Sequence, residues 1–89
     1  MGRFVKRRKL LARLASGAVQ NVAFADLQSL VAGFGFQLRR TSGSHHIYSH
    51  PAIAELINLQ DVDGQAKPYQ IRQVLRLVER YNLALEDEA

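Results

Sequence analysis

The chain of 89 residues lacks cysteine and tryptophan and has only two prolines, and its first fifty positions hold a single acidic residue. Without cysteine it offers no disulfide and no thiol ligand or nucleophile, which fits a reducing cytoplasm. No apolar run approaches the roughly 18 residues of a membrane span, and no signal-peptide core follows the basic start. We therefore expect a cytoplasmic protein with neither a membrane anchor nor a secretory signal.

Basic residues are concentrated in the first half of the chain. Eight Lys and Arg side chains among residues 1–50 are balanced there only by Asp26. A basic surface attracts polyanions, and nucleic acid is the commonest polyanion of a cytosol, although such a surface also serves solubility alone. With 47% hydrophobic and 22% charged residues, the composition predicts one folded domain with one modest core.

Hydrophobic periodicity predicts three helices. Residues 3–15 form a basic helix that ends near Gly17, and residues 1–21 are interpreted as a helical extension and linker, an appendage rather than part of the core. The second helix carries the apolar stripe Leu27, Leu30, Val31 and Phe34. The third begins at Pro68 and carries the apolar stripe Ile71, Val74, Leu75 and Val78.

Three short strands are predicted between the second and third helices. Residues 36–41 alternate as in a half-buried strand, residues 42–44 form a turn, and residues 45–50 form the next strand. Residues 56–60 are the third strand, and residues 61–67 a polar loop. The predicted fold class is α+β: an α-β-β-β-α domain over residues 22–85, with two helices on one face of a three-stranded antiparallel sheet, and an acidic tail over 86–89.

All three histidines lie within Gly43-Ser44-His45-His46-Ile47-Tyr48-Ser49-His50. Imidazole titrates near neutral pH, so it can give or take a proton in the cell. If Ile47 is buried, strand alternation exposes His46, Tyr48 and His50, but His45 at the first strand position can also reach the rim of the sheet. Alternation alone does not decide which histidine is functional.

A histidine at the end of a strand beside a glycine turn is a candidate general base for metal-free RNA cleavage. A base removes the proton of a ribose 2′-hydroxyl, which attacks the adjacent phosphorus, and cations such as Arg39 and Arg40 stabilise the added negative charge. Two other interpretations stay open: histidines with hydrogen bonds and no chemistry, or a metal site using the four-residue spacing of His46 and His50. The strand pattern and the lack of cysteine or nearby acids argue against metal, so we expect no metal and no cofactor.

Two further features have both a structural and a functional interpretation. Arg72, Arg76 and Arg80 repeat every four residues on the third helix, which is usual for a solvated face and less usual for a phosphate or acidic-partner contact. Tyr48 is able to stack on an RNA base, although an aromatic side chain in a short strand more often packs in a core.

The chain resembles the HicA family of toxins, the mRNA-cleaving halves of HicA–HicB toxin–antitoxin pairs, from about residue 24 to residue 81. The resemblance is carried by Gly33-Phe34-Gly35-Phe36, by Arg39 and Arg40, by Gly43-Ser44-His45-His46-Ile47-Tyr48 with His50-Pro51, and by Lys67-Pro68. It implies a double-stranded-RNA-binding-like fold, a metal-independent endoribonuclease acting on mRNA, and neutralisation by a HicB-type antitoxin.

The family's catalytic histidine maps to His45, with His46 as second choice because some members place it one residue later. RNA contact is assigned to Arg39, Arg40, Gly43, Ser44, Tyr48 and Lys67. The expected partners are single-stranded RNA or mRNA and the antitoxin, in a homodimer or a hetero-oligomer. The alternative is a non-catalytic RNA-binding or antitoxin-binding module on the same fold.

The chain departs from the family pattern in two places. About twenty residues precede the first family helix, and RNA affinity, antitoxin contact and dimerisation are three open interpretations of their role. Residues 58–66 replace a short basic stretch. Both departures concern how a substrate or partner is held.

Overall fold

The predicted sheet and its two covering helices are present in the structure, a computed structural model that describes residues 6–86. In chain order the elements are α1 (Arg7–Ala15), β1 (Val22–Ala23), α2 (Phe24–Gly33), β2 (Gln37–Ser42), β3 (His45–His50), β4 (Ile53–Gln60), β5 (Gln65–Ala66) and α3 (Pro68–Arg80). The fold is therefore α+β, and α2-β2-β3-β4-α3 reproduces the α-β-β-β-α order of a double-stranded-RNA-binding-like domain. Positions 3–5 of the predicted first helix, and Asp87 and Glu88 of the acidic tail, lie outside the described residues.

The main sheet is antiparallel, with β3 in the centre of the order β2-β3-β4. Ser42 pairs with His45, so a two-residue turn joins β2 to β3, and the register shifts between Leu38 and Arg40. Directly paired residues share a face. Tyr48 therefore lies on the same face as its β4 partner Ile57.

One face of this sheet is buried against α2 and α3. The core cluster joins Tyr48, Ile57 and Leu59 of the sheet to the apolar sides of the helices, including Leu27, Leu30, Val31, Ile71 and Val74. The stripe predicted for α2 is confirmed in full. In α3 the buried side chains are Gln70, Ile71, Val74 and Leu77, whereas Leu75 and Val78 are half-buried, so the predicted stripe was rotated by part of a turn.

Strand β2 corrects the prediction of a half-buried strand. All six of its residues are exposed, and the apolar Leu38 is 49% exposed although it pairs with buried Tyr48. β2 is an edge strand of the sheet and has a neighbouring strand on one side only. Phe36, just before the strand, supplies the buried side chain instead.

A second, two-stranded sheet was not predicted from the sequence. Val22 pairs with Ala66 and Ala23 with Gln65, inside the segment expected to be a polar loop. The amide of Phe24 donates to the carbonyl of Gly64 at 2.8 Å, which joins the start of α2 to the same loop. Strand β4 is also three residues longer at its start than the predicted third strand.

Helix α1 is part of the core, which corrects the interpretation of the N-terminal segment as an appendage. Leu10 and Leu14 are buried in the same cluster as the side chains of α2. The Arg7 Nε–H donates to Ser29 Oγ of α2 at 3.1 Å. The boundary placed after residue 21 stays a prediction. Within residues 6–86, no helix is both long enough and apolar enough to span a bilayer.

The C-terminal end of α3 is tied to the sheet by Tyr81. Its hydroxyl donates to a carboxylate oxygen of Glu55 at 2.7 Å. This hydrogen bond raises the pKa of Tyr81 above its ordinary value of 10.0, because it favours the protonated hydroxyl. The contact lies at the opposite end of α3 from Gln70, which hydrogen-bonds to Gln60, the register partner of His45.

Candidate functional site

The turn between β2 and β3 places the first histidine at the start of a strand. Gly43 has a φ of +60°, whereas Ser44, the second turn residue, has no positive φ. A positive φ at the first of two central residues is the pattern of a type II′ hairpin turn, which favours glycine there. A Cβ added at Gly43 would meet no atom within 4 Å, so the backbone is open to close approach by a ligand.

His45 is exposed on the face of the sheet opposite the helices. Its neighbours in the register are Ser42 on β2 and Gln60 on β4. The ring atom Nδ1 lies 3.2 Å from Oδ1 of Asn58, the residue diagonally across on β4. Among residues 6–86, no hydrogen-bond partner is found for Nε2, so this nitrogen is available to a substrate.

His46 occupies the rim of the opposite, helix-covered face. Its ring is half-buried and packs against Phe24 of α2 at 4.9 Å between centroids. Its Nδ1 lies 3.1 Å from the carbonyl oxygen of Ser44, which can only accept, so Nδ1–H is the donor. His46 is thus more confined than His45, although it lies beside the same turn.

His50 is a structural residue of the core. It is 8% exposed and its ring packs edge-on against Phe36 at 4.9 Å. Nε2–H donates to the carbonyl of Phe34 at 2.9 Å, and the amide of Ala52 donates to Nδ1 at 3.0 Å. Both ring nitrogens are therefore used by the backbone, which leaves neither for a substrate.

Tyr48 lies on the buried face with His50. It is 4% exposed, and its hydroxyl accepts a hydrogen bond from Gln28 Nε2 at 3.1 Å. The ring offers no open face to a base, so the predicted stacking role is wrong and the packing interpretation applies. Together, Tyr48 and His50 also correct the expected orientation of β3: the face with Ile47 is the outer one.

The reason for this inversion is long-range. Ile47 is the most apolar residue of the strand, but it is only half-buried. Tyr48 and His50 face the core because Gln28 and the backbone at residues 34 and 52 satisfy their polar atoms. A hydrophobicity pattern does not indicate such hydrogen-bond partners.

The remaining predicted RNA-contact residues lie on β2, in the turn and at the start of α3. Arg40 pairs with Ile47 and so shares the outer face with His45, while Arg39, at the register shift, donates to Gln37 Oε1 at 3.2 Å. Ser44 is half-buried, and its carbonyl accepts the amide of Asp61 at 2.9 Å. Lys67 is exposed at the N-cap of α3.

Two residues near His45 were not predicted from the sequence. Asn58 lies at hydrogen-bond distance from the ring, and Gln70 hydrogen-bonds to the backbone of β4, the strand that carries Asn58. Gln70 is a buried polar residue of α3, and its Oε1 accepts the amide of Gln60 at 3.0 Å. Its Nε2 lies 3.5 Å from the carbonyl oxygen of Asn58. The one available signal was a glutamine within the apolar side of a strongly amphipathic helix.

The geometry of the histidines gives no gathered set of metal ligands. Within residues 6–86, no three His, Asp or Glu side chains are grouped as a metal site would require. His46 and His50 share one face of a strand, but both nitrogens of His50 bind the backbone.

The cations of α1 occupy a separate surface groove. Lys6, Lys9 and Arg13 line this groove with Leu10 and with Asp26 from the first turns of α2. Arg13 also donates to the carbonyl of Gln20 at 2.6 Å. The predicted basic surface of the N-terminal segment therefore lies beside α2, against which α1 packs.

Comparison with known proteins supports the resemblance noted in the sequence. Residues 24–79 match a family model described as the HicA toxin of bacterial toxin–antitoxin pairs. The match begins at the first residue of α2 and ends within the last turn of α3, so it covers α2, nearly all of α3, the main sheet and all three histidines, but not α1. No curated protein and no solved structure matched the chain.

Proposed function

Because the chain belongs to the HicA toxin family, a toxin family of toxin–antitoxin systems, we propose that it is a metal-independent endoribonuclease that cleaves mRNA with His45 as general base. Membership of the family implies an antitoxin as partner, and we propose that this is a HicB-type protein. The observation that supports the catalytic assignment best is the exposure of His45. Of the three histidines, only His45 has an exposed ring, and its Nε2 has no hydrogen-bond partner within residues 6–86.

The proposed reaction is an intramolecular phosphoryl transfer. Nε2 of His45 accepts the proton of a ribose 2′-hydroxyl while the 2′-oxygen attacks the neighbouring phosphorus. The bond from phosphorus to the 5′-oxygen breaks, and this oxygen takes up a proton from solvent water, which yields a 2′,3′-cyclic phosphate on one fragment and a 5′-hydroxyl on the other. A positioned base typically contributes about 10²–10⁴-fold to such a step.

Phosphate binding is assigned to the cations and the turn around His45. Arg40 lies on the same outer face as His45, and Gly43 leaves the backbone of the turn uncovered. Arg39, Ser44 and Lys67 extend this surface along the edge strand and towards the start of α3. The positive charges of Arg39, Arg40 and Lys67 stabilise the extra negative charge of the phosphorane.

His46 is the second choice for the base. Its Nδ1–H is held by the carbonyl of Ser44, so its Nε2 is the basic nitrogen. However, its ring is half-buried against Phe24, which restricts approach of an RNA backbone. We therefore place His46 at the edge of the site.

The alternative is a non-catalytic RNA-binding or antitoxin-binding module on the same fold. One observation favours a protein contact: Leu56, two residues before Asn58 on β4, is 61% exposed on the outer face. Strand alternation places Leu56 and Asn58 on one side of the sheet. An antitoxin that covers this side would bury Leu56 and His45 together, in a hetero-oligomer or around a homodimer of toxins.

The decisive experiment is cleavage of a mixed-sequence RNA in EDTA by wild type, His45→Ala and His46→Ala, with Ser49→Ala as control. Ser49 lies on the same outer face of β3. We expect cleavage by wild type and Ser49→Ala with 2′,3′-cyclic phosphate ends, and a loss of about 10²–10⁴-fold in His45→Ala. RNA affinity, measured separately, should stay within a few-fold.

Other outcomes discriminate among the alternatives. Loss of cleavage in His46→Ala alone would move the base to the second choice. Full cleavage by both histidine variants would overturn the mechanism. RNA binding by the wild type without any cleavage would identify a binding module instead of an enzyme.

A further inference from the structure

Within residues 6–86, Asn58 is the one side chain found at hydrogen-bond distance from the ring of His45. The pairs His45–Gln60 and Ile47–Asn58 place the two residues diagonally across β3 and β4 on the outer face. The distance from Nδ1 of His45 to Oδ1 of Asn58 is 3.2 Å. Diagonal neighbours in an antiparallel pair are within reach of long polar side chains, so this contact follows from the register.

The chemistry of the amide oxygen fixes the tautomer of the ring. An amide oxygen accepts hydrogen bonds and cannot donate them, so Nδ1 of His45 must carry the hydrogen in this contact. In a neutral imidazole, the other nitrogen then keeps its lone pair. The free lone pair is therefore on Nε2.

We propose that Asn58 is a positioning residue that holds His45 in the Nδ1–H tautomer and so presents Nε2 as the base; this rests on the proposed function. Orientation of a catalytic imidazole through its second nitrogen is a general device of histidine chemistry. Here the partner is an amide instead of a carboxylate. It fixes the ring without adding a negative charge that would favour the protonated imidazole.

The strand that carries Asn58 is itself fixed from the core side. Gln70 is 3% exposed, and both ends of its side-chain amide contact the backbone of β4. Its Oε1 accepts a hydrogen bond from the amide of Gln60, and its Nε2 lies near the carbonyl oxygen of Asn58. The residue between these two positions, Leu59, is fully buried. Gln70 of α3 therefore contacts the backbone of β4 on both sides of Leu59. These contacts fix the backbone position of Asn58 relative to the ring of His45.

The charged groups near the ring leave Asn58 as the orienting partner. Arg40 shares the outer face but pairs with Ile47, and the carboxylate of Asp61 accepts the amide of Gly64 at 2.7 Å. Within residues 6–86, no carboxylate is hydrogen-bonded to His45. Loss of Asn58 would thus leave the ring free to rotate and to exchange tautomers.

The first test needs no RNA and no activity. The ¹⁵N resonances of the His45 ring, recorded above neutral pH, distinguish the two neutral tautomers. We expect the Nδ1–H form to dominate in the wild type and in Ser49→Ala, and a mixture in Asn58→Leu, which keeps the size of the side chain but removes the acceptor. A wild-type ring in the Nε2–H form, or an unchanged ring in Asn58→Leu, would overturn the proposal.

The second test is the pH dependence of cleavage in the same variants. We expect kcat of Asn58→Leu to fall about tenfold to a hundredfold with little change in KM. Asn58→Asp keeps an acceptor for Nδ1–H, so it should restore part of the rate while moving the acid limb of the profile to higher pH, because a carboxylate favours imidazolium. A variant that is merely misfolded would show neither the rescue nor the shift.

The two tests also separate this proposal from the catalytic one. If the tautomer depends on Asn58 but His45→Ala still cleaves, the positioning contact stands and the proposed base is wrong. If His45→Ala is inactive and the tautomer ignores Asn58, the base stands and the positioning role is wrong. The Leu-to-Asp comparison at one position supplies the matched pair for both conclusions.

Discussion

His45 and His50 begin and end the same strand, yet their environments are opposite. His45 lies on the outer face, with one nitrogen near Asn58 and an exposed ring. His50 lies on the core face, with both nitrogens bound to backbone groups and its ring against Phe36. A histidine whose two nitrogens are both used by the fold stabilises it, whereas one with a nitrogen left over is available for chemistry.

The largest effect that separates the two faces is expected for His50→Ala. The substitution removes a buried ring and leaves the amide of Ala52 and the carbonyl of Phe34 without their partner. We expect the free energy of unfolding to fall by about 2–4 kcal/mol in urea denaturation, compared with under about 0.5 kcal/mol for His45→Ala. Equal losses in the two variants would show that the faces of β3 do not differ as described.

A smaller effect on the same core face is expected for Tyr48→Phe. The change removes only the hydroxyl that accepts from Gln28, so stability should fall by about 1 kcal/mol. RNA affinity should not change, because the ring is buried. A loss of affinity in this variant, measured at a temperature where it is fully folded, would restore the stacking role that the structure removes.

The smallest effect is expected on the outer face, for Arg40→Gln compared with Arg72→Gln on α3. If Arg40 contacts a phosphate of single-stranded RNA, its loss should reduce the slope of log affinity against log salt by about 0.7. Arg72, on the exposed side of α3, should leave the slope unchanged. Equal reductions in both variants would indicate a diffuse charge effect in place of a phosphate contact beside His45.

The sequence predicted the elements that repeat an apolar pattern over several turns or residues. The stripe from Leu27 to Phe34 and the hairpin around Gly43 are both confirmed, because their signals are local. The pairing of Val22–Ala23 with Gln65–Ala66 was missed, since two residues are too few to show a period. The face of β3 was inverted for a different reason: the buried His50 donates to the carbonyl of Phe34, which belongs to another part of the chain.

The candidate site was predicted in part. The segment that contains the histidines came from the sequence, and so did the glycine of the turn. Asn58 and Gln70 did not, because their roles depend on the register of β3 with β4 and on how α3 crosses that strand. Such partners become visible only when strands are aligned in space.

The small sheet of β1 and β5 has a consequence for how this domain is divided. It ties residues 22–23, which lie upstream of the family match, to the segment that leads into α3. Four core side chains also come from that upstream region, namely Leu10, Leu14, Val19 and Val22. A fragment that began at residue 24 would retain every histidine but would lose these core side chains. The segment that matches the family model and the segment that builds the hydrophobic core therefore have different boundaries.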